Sequence, residues 1–214
     1  MRKLQLNNIQ KIGQAFASFL DYHRDKIKLT GNEDGRLESL DSEDSVRQLL
    51  IDNFSDKVNF LEKDHNRSFG DIDIVLDGVI YPINIKMVDP AKSGTYNGGG
   101  VKVINHALFG LKDSNFSRVA KRILDQSASM VSLKDDYYYL VFFKRSEMAT
   151  KFAALSELSP SSVVTNPSNP IQLKTNIETV ERTESEKVDF IISLFREVCF
   201  KKAQAYLILE GKAA

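Results

Sequence analysis

A mixed β-sheet flanked by helices, of the α/β (α+β) class, is the architecture this sequence predicts, and three observations predict it. Residues 70–86, GDIDIVLDGVIYPINIK, read as a β-hairpin. Residues 137–143, YYYLVFF, read as one β-prone run long enough to cross a sheet. Apolar residues recur at helical spacing over 8–26, 41–54, 116–131 and 183–209.

The hairpin is the most informative stretch. Ile72, Ile74 and Leu76 alternate with Asp71, Asp73 and Val75, the period of a half-buried strand. Asp77-Gly78 supplies residues that accept positive φ, as a two-residue type I′ turn requires. Val79 to Met87 resumes as a second strand, in which Pro82 predicts an edge or a bulge. With Asp77 and Gly78 as the loop, Leu76 pairs with Val79, Asp73 lies opposite Pro82 and Asp71 lies opposite Asn84. Paired side chains share a face with Cβ atoms about 4.5–5.5 Å apart, and Lys86, two residues beyond Asn84, shares it too. An acid, an amide and an ammonium thus gather on one side, while Ile72, Ile74, Ile83 and Ile85 fill the other. A carboxylate and an amide oxygen can hold a hard cation such as Mg²⁺. A lysine beside them can orient or deprotonate an attacking water and offset phosphate charge. This chemistry suits phosphodiester hydrolysis, and its bland alternative is a surface hairpin with solvated polar residues.

At these residues the sequence resembles the PD-(D/E)xK nuclease superfamily, which includes most type II restriction endonucleases. The shared pattern is an Asp opening one strand, a hairpin, then acid-x-Lys on the next strand. Here it reads Asp71, twelve intervening residues, then Asn84-Ile85-Lys86. Gly70 stands where the pattern has Pro, and Asn84 where it has the second acid. Asn84 is either a native Asn-x-Lys variant or an Asp→Asn substitution that holds DNA uncut. The resemblance implies a restriction-endonuclease-like core and Mg²⁺-dependent, site-specific cleavage of double-stranded DNA by a homodimer acting on a short palindrome. It assigns Asp71 and Asn84 to the metal, with Asp73 as the reserve ligand, and Lys86 to the water. It also implies a Glu on the helix before the hairpin that points at the metal. Glu43, in Glu-x-x-Val-x-x-Leu-Leu, matches, and Glu38 is the weaker competitor. A repair or junction-resolving nuclease of the same fold, or a DNA-binding protein without activity, are the alternatives.

Along the chain, Asn8 to Lys26 is expected to be an amphipathic helix with Ile9, Ile12, Phe16, Phe19 and Leu20 on its apolar face. Residues 29–40 carry the loop signals Thr30-Gly31-Asn32 and Asp34-Gly35. Ser42 is expected to cap a second helix ending at Phe54, with Glu43 and Asp44 in its first turn and Val46, Leu49, Leu50 and Phe54 buried. Residues 57–63 read as a short strand and 65–68 as a polar loop in which His65 or Arg67 could meet a phosphate. Residues 89–100, DPAKSGTYNGGG, read as a long flexible loop. Its Lys92, Ser93, Thr95, Tyr96 and Asn97 are candidate DNA contacts, because glycine lets backbone approach a ligand and these side chains bond bases or phosphates. Residues 101–111 form a short strand or helix in which His106 is a core residue. A helix over 116–131 should bury Val119, Ile123, Leu124 and Met130 and present Arg118, Lys121 and Arg122. A further helix is expected over 147–158 and a short strand over 171–174. Thr183-Glu184-Ser185-Glu186 should open a final helix to about Leu209, with Phe190, Ile191, Leu194, Phe195 and Val198 inside and Lys201 and Lys202 extending a basic surface.

Composition bounds the rest. The 214 residues are expected to form one domain, residues 1–214, around a single core. Twenty-nine basic and 29 acidic residues balance, which argues against a purely electrostatic nucleic-acid binder. The balance is uneven, with 10 basic and 6 acidic residues over 81–150, directly after the hairpin. No run approaches the roughly 18–20 apolar residues of a membrane span, and Met1-Arg2-Lys3 precedes mixed polar sequence, so neither membrane association nor a signal peptide is expected. The single Cys199 reads as a buried core thiol in a reducing cytoplasm, and the resemblance to restriction endonucleases implies a prokaryotic setting. Three histidines and one cysteine exclude a standard structural zinc site.

Overall fold

The computed structural model describes residues 8–27, 35–61, 69–92 and 94–210, with side chains at all of these except 35–41 and 209. In chain order the elements are α1 (Ile9–Tyr22), α2 (Gly35–Phe54), β1 (Asn59–Phe60), β2 (Ile72–Leu76), β3 (Val79–Val88), β4 (Thr95–Gly99), α3 (Val101–Phe109), α4 (Phe116–Gln126), β5 (Tyr138–Phe143), β6 (Lys151–Ala154), β7 (Val163–Val164), β8 (Ile171–Lys174) and α5 (Glu184–Leu209). The protein is therefore mixed α and β. Length predicts one domain; the chain divides into two compact units, Met1–Ser93 with Tyr137–Ala154 and Gly94–Asp136 with Leu155–Ala214. No helix among the described residues is long and apolar enough to cross a membrane.

The first unit holds a five-stranded mixed sheet in the order β1-β2-β3-β5-β6. The hairpin register is the one expected: Leu76 pairs with Val79, Asp73 with Pro82 and Ile72 with Ile83. Asp77 at φ 50 and Gly78 at φ 79 make the turn, the backbone twist that joins two antiparallel strands most tightly. Pro82 is in a paired strand and not at an edge. The Ile83 carbonyl faces β2, where it accepts the Asp71 N–H at 2.9 Å. Alternation then turns the Pro82 nitrogen the other way, and the parallel ladder to β5 begins only at Ile83 with Tyr138. The missing N–H therefore removes no ladder bond.

Ile72, Ile74, Ile83, Ile85, Met87, Tyr138, Leu140 and Phe142 form one side of the core, and Ile12, Phe16, Leu20, Val46 and Leu50 from α1 and α2 the other. Asn8 caps α1 by accepting the Gln10 N–H. Gly13 lets α1 lie against β6, since a Cβ there would meet the Phe152 ring at 2.2 Å. Two expectations are corrected in this unit. α2 begins at Gly35, so Ser42 is an interior, fully buried residue and not the cap, and Glu43 and Asp44 lie beyond the first turn. The helix-forming run Arg36-Leu37-Glu38 extends the helix back to Gly35, across part of the stretch whose Asp34-Gly35 signals a loop. Residues 147–158 are not a helix. Lys151–Ala154 pairs antiparallel with β5, Phe152 stacks on Tyr138 at 5.5 Å, and only Leu155–Glu157 turns as a 3₁₀ helix. Alanine, lysine and glutamate favour a helix locally, but the buried β5 needs a partner on that edge, and the ladder outweighs propensity.

In the second unit β4, β8 and β7 form an antiparallel sheet. Thr95–Gly99 is therefore a strand and not a flexible loop. Its pairing partner, Ile171–Lys174, lies far along the chain, and no local signal reveals it. Residues 101–109 are helical, with His106 buried, and end at Gly110 in the left-handed conformation. α4 buries Val119 and Ile123, while Leu124, one residue round the helix, is 82 % exposed and Met130 lies past its end, half-buried. Arg118 and Arg122 are both within 3.5 Å of Asp113. α5 follows the predicted course: Thr183 and Glu186 make a capping box, and Ile191, Leu194, Phe195 and Val198 are buried. Cys199 is half-buried and not a core residue. Lys201 and Lys202 are engaged within the unit, the first by Thr165 and Glu197, the second over the Phe116 ring.

Candidate active site

The site is set by a mismatch in strand length. β3 pairs with β5 through Val88, whereas its described pairing with β2 stops at Ile83. The Ile85 N–H points to the vacated side and is taken by the Asp71 carboxylate, Oδ2 accepting it at 2.8 Å. Asp71 is thereby pinned at the end of the hairpin beside Asn84. Asn84 and Lys86 alternate with the buried Ile83 and Ile85 and so share the opposite face of β3. Glu43, from the middle of α2, places Oε1 3.8 Å from Lys86 Nζ, both side chains largely buried. The structure therefore brings Asp71, Asn84, Lys86 and Glu43 together.

Asp73 lies on the same strand face but in a different setting. It is 3 % exposed, and its two oxygens accept the Phe69 and Gly70 N–H groups, each at 2.9 Å. Its carboxylate holds the approach to β2, which leaves Asp71 as the carboxylate with an oxygen beyond its one backbone bond. Gly70 has a matching reason. A Cβ there would lie 2.6 Å from the Ile83 carbonyl oxygen and 2.7 Å from its nitrogen, so no side chain fits where the resembling pattern has Pro.

Two features escaped the sequence. The first is the Ile85 N–H, which becomes available only because β2 stops short. The second is Tyr137, fully buried and edge-on to Phe69 and to Tyr139, both with ring centroids 5.4 Å away. Its side chain stands near Asn84, Asp71 and Asp73. Burial, aided by those two carboxylates, raises its phenol above the ordinary value, so it stays protonated. Its only sequence signal is its place at the head of the β-prone run, just before β5 begins.

A Mg²⁺ ion takes few protein ligands, one or two carboxylates with the rest from water and phosphate. Among the described residues no three His, Cys, Asp or Glu side chains converge into a cage. What the site offers is the Asp71 carboxylate and the Asn84 Oδ1, a buried oxygen with no hydrogen-bond partner. A buried acceptor left unbonded is uncommon and asks for a donor or a cation, so the residues fit a sparsely ligated Mg²⁺. The expected DNA contacts fall on both sides of the boundary between the two units. Lys92 is exposed in the first unit, while Thr95, Tyr96 and Asn97 belong to β4 in the second. Asn97 is exposed, and its Oδ1 accepts the Gly99 N–H at 2.8 Å. The Tyr96 hydroxyl is buried, which raises its pKa. Ser93, His65 and Arg67 lie outside the described residues, as does the Glu38 side chain.

No protein-family model matches the chain, and no curated protein matches it.

Proposed function

We propose that the protein is a Mg²⁺-dependent endonuclease of double-stranded DNA with a restriction-endonuclease-like core. The observation that carries this reading is the convergence, at the open edge of β3, of the Asp71 carboxylate, the unpartnered Asn84 Oδ1 and Lys86 backed by Glu43. Asp71 and Asn84 hold the cation, with Asp71 kept in place by the Ile85 N–H. When bound, Mg²⁺ supplies positive charge for the scissile phosphate and acidity for a coordinated water. Lys86 orients the attacking water and offsets the charge that builds on the phosphate oxygens, as a fixed cation in a partly dry site does effectively. Glu43 draws the Lys86 ammonium to one position. The mixed sheet, with an antiparallel hairpin leading to a parallel β5, supports the proposed core. Action as a homodimer on a short palindrome is carried by the resemblance. Asn84 favours a second reading, a protein that binds DNA and does not cut it, because an amide brings no negative charge to the metal.

The test is cleavage of a long natural DNA in Mg²⁺ by the parent chain, Lys86→Ala and Asn84→Asp. Discrete fragments from the parent that vanish with Lys86→Ala support the proposal. Cutting only by Asn84→Asp identifies a disabled nuclease. DNA binding with no cutting by any of the three moves the reading to a binding protein.

A further inference from the structure

α5 outruns the unit that holds it. Ile191, Leu194, Phe195 and Val198 are buried at helical spacing and tie the helix down. Beyond Val198 no described side chain of α5 is buried, and Ala203 to Ile208 are all exposed. Yet this stretch is not polar. Phe200, Tyr206, Leu207 and Ile208 are 62 %, 68 %, 46 % and 67 % exposed. So short a helical segment is marginal in water by itself, and large apolar side chains left open together mark a contact surface.

The pattern of the stretch specifies its partner. At about 3.6 residues per turn, Phe200, Ala203 and Leu207 share one face, distinct from the buried stripe, with Tyr206 alongside. Arg196 and Glu210 stand on the same face at its two ends, both exposed and equally far from Ala203. The face is therefore complementary to itself. Two copies laid antiparallel, Ala203 against Ala203, bring Arg196 of one level with Glu210 of the other, and the two-fold axis makes this pair twice. Phe200 of one copy then meets Leu207 of the other. Alanine at the crossing lets the helix axes approach to about 8–10 Å. A parallel pairing instead sets Arg196 on Arg196 and Glu210 on Glu210, so charge selects the antiparallel one.

We propose that the exposed end of α5 is a self-association surface whose partner is the same segment of a second copy of this chain, antiparallel and crossing at Ala203. The inference is independent of the nuclease reading, whose homodimer is implied by resemblance alone, and neither DNA nor metal enters its test.

The experiment is sedimentation velocity of the full chain over a range of micromolar concentrations. Five proteins are compared: parent, Phe200→Asp, Arg196→Glu, Glu210→Arg and the double variant Arg196→Glu/Glu210→Arg. The substituted side chains are exposed, so the fold should be kept, and circular dichroism checks this. The parent should pass from monomer to dimer as concentration rises, and Phe200→Asp should stay monomeric. Each single charge reversal should weaken the dimer at least about tenfold, because it sets like charges opposite each other at both ends of the seam. The double reversal should return the affinity to within about threefold of the parent, as directly coupled residues require. A parent that remains monomeric throughout overturns the inference and leaves the face to a different protein. A dimer that survives Phe200→Asp places the interface elsewhere and overturns it equally. Single reversals without effect, or a double reversal no tighter than the singles, refute the antiparallel pairing. Cross-linking gives an independent check in a Cys199→Ser background treated with diamide. Ala203→Cys should form a disulfide-linked dimer and Ala205→Cys, on the other side of the helix, should not; equal linkage at both positions would refute the crossing point.

Discussion

Asp71 and Asp73 stand two residues apart at the head of one strand, yet replacing each by Asn should have opposite effects. Both oxygens of Asp73 accept backbone N–H groups at 2.9 Å in a site 3 % exposed. Asn offers one oxygen, so either Phe69 or Gly70 must point its N–H at an NH₂ group. A hydrogen bond to a charged acceptor contributes about 1.5–3 kcal/mol, and a stranded buried donor carries a penalty of about 1–3 kcal/mol. Asp73→Asn should therefore destabilise the fold by about 3–4 kcal/mol, which lowers the melting temperature by about 10 °C for a chain of this size. Asp71 uses one oxygen for structure, at Ile85, and an amide oxygen can keep that bond. Asp71→Asn should shift stability by less than about 1 kcal/mol while, on the proposed function, weakening Mn²⁺ binding at least tenfold, because there it removes the charged ligand. Thermal melts followed by circular dichroism, with Mn²⁺ titrations on the same samples, test both halves. An unchanged melting temperature for Asp73→Asn, or intact Mn²⁺ binding by Asp71→Asn, would refute the division of labour between the two carboxylates.

Three further outcomes can be checked. Gly70→Ala places a methyl group 2.6 Å from the Ile83 carbonyl oxygen, and the enforced backbone shift should destabilise by about 2–3 kcal/mol, read in urea melts. Thr183→Ala removes the α5 cap and should lower stability by about 1 kcal/mol near neutral pH. The backbone and side chain of Thr183 hold the Glu186 carboxyl below its ordinary 4.5. That contribution is present above the ordinary value and is lost as pH falls through the depressed one, so the stability difference between parent and Thr183→Ala should shrink in acid. Burial raises the Cys199 thiol, which should react with a disulfide reagent more slowly than a free cysteine at the same pH; if urea does not abolish the difference, burial is not its cause.

The hairpin was legible because it is local. Alternation of isoleucine with aspartate, together with Asp77-Gly78, determines turn type and register without reference to the remainder of the chain, and the register puts Asp71, Asn84 and Lys86 on one face. The last helix was legible for the same reason, since Thr183 and Glu186 make their bonds within one turn. Composition could not show that residues 95–99 pair with 171–174, or that 151–154 leaves its helical preference to cover β5, because those ladders depend on partners distant in sequence. Leu124 was misplaced because a periodic stripe does not reveal how wide a face its neighbours will cover.

The sequence by itself determined which residues face one another across the hairpin, for a pleated strand and a two-residue turn allow only one arrangement. Tertiary structure alone decided what each of them can do. The early end of β2 gives Asp71 the Ile85 N–H and leaves it an oxygen to spare, whereas the backbone at Phe69 and Gly70 engages both oxygens of Asp73. The parallel pairing of β3 with β5 sets Asn84 beside Tyr139, and the Asn84 oxygen is left buried without a bond. Equal residues acquire unequal roles because the hydrogen bonds available to them come from segments that only the packed chain brings near.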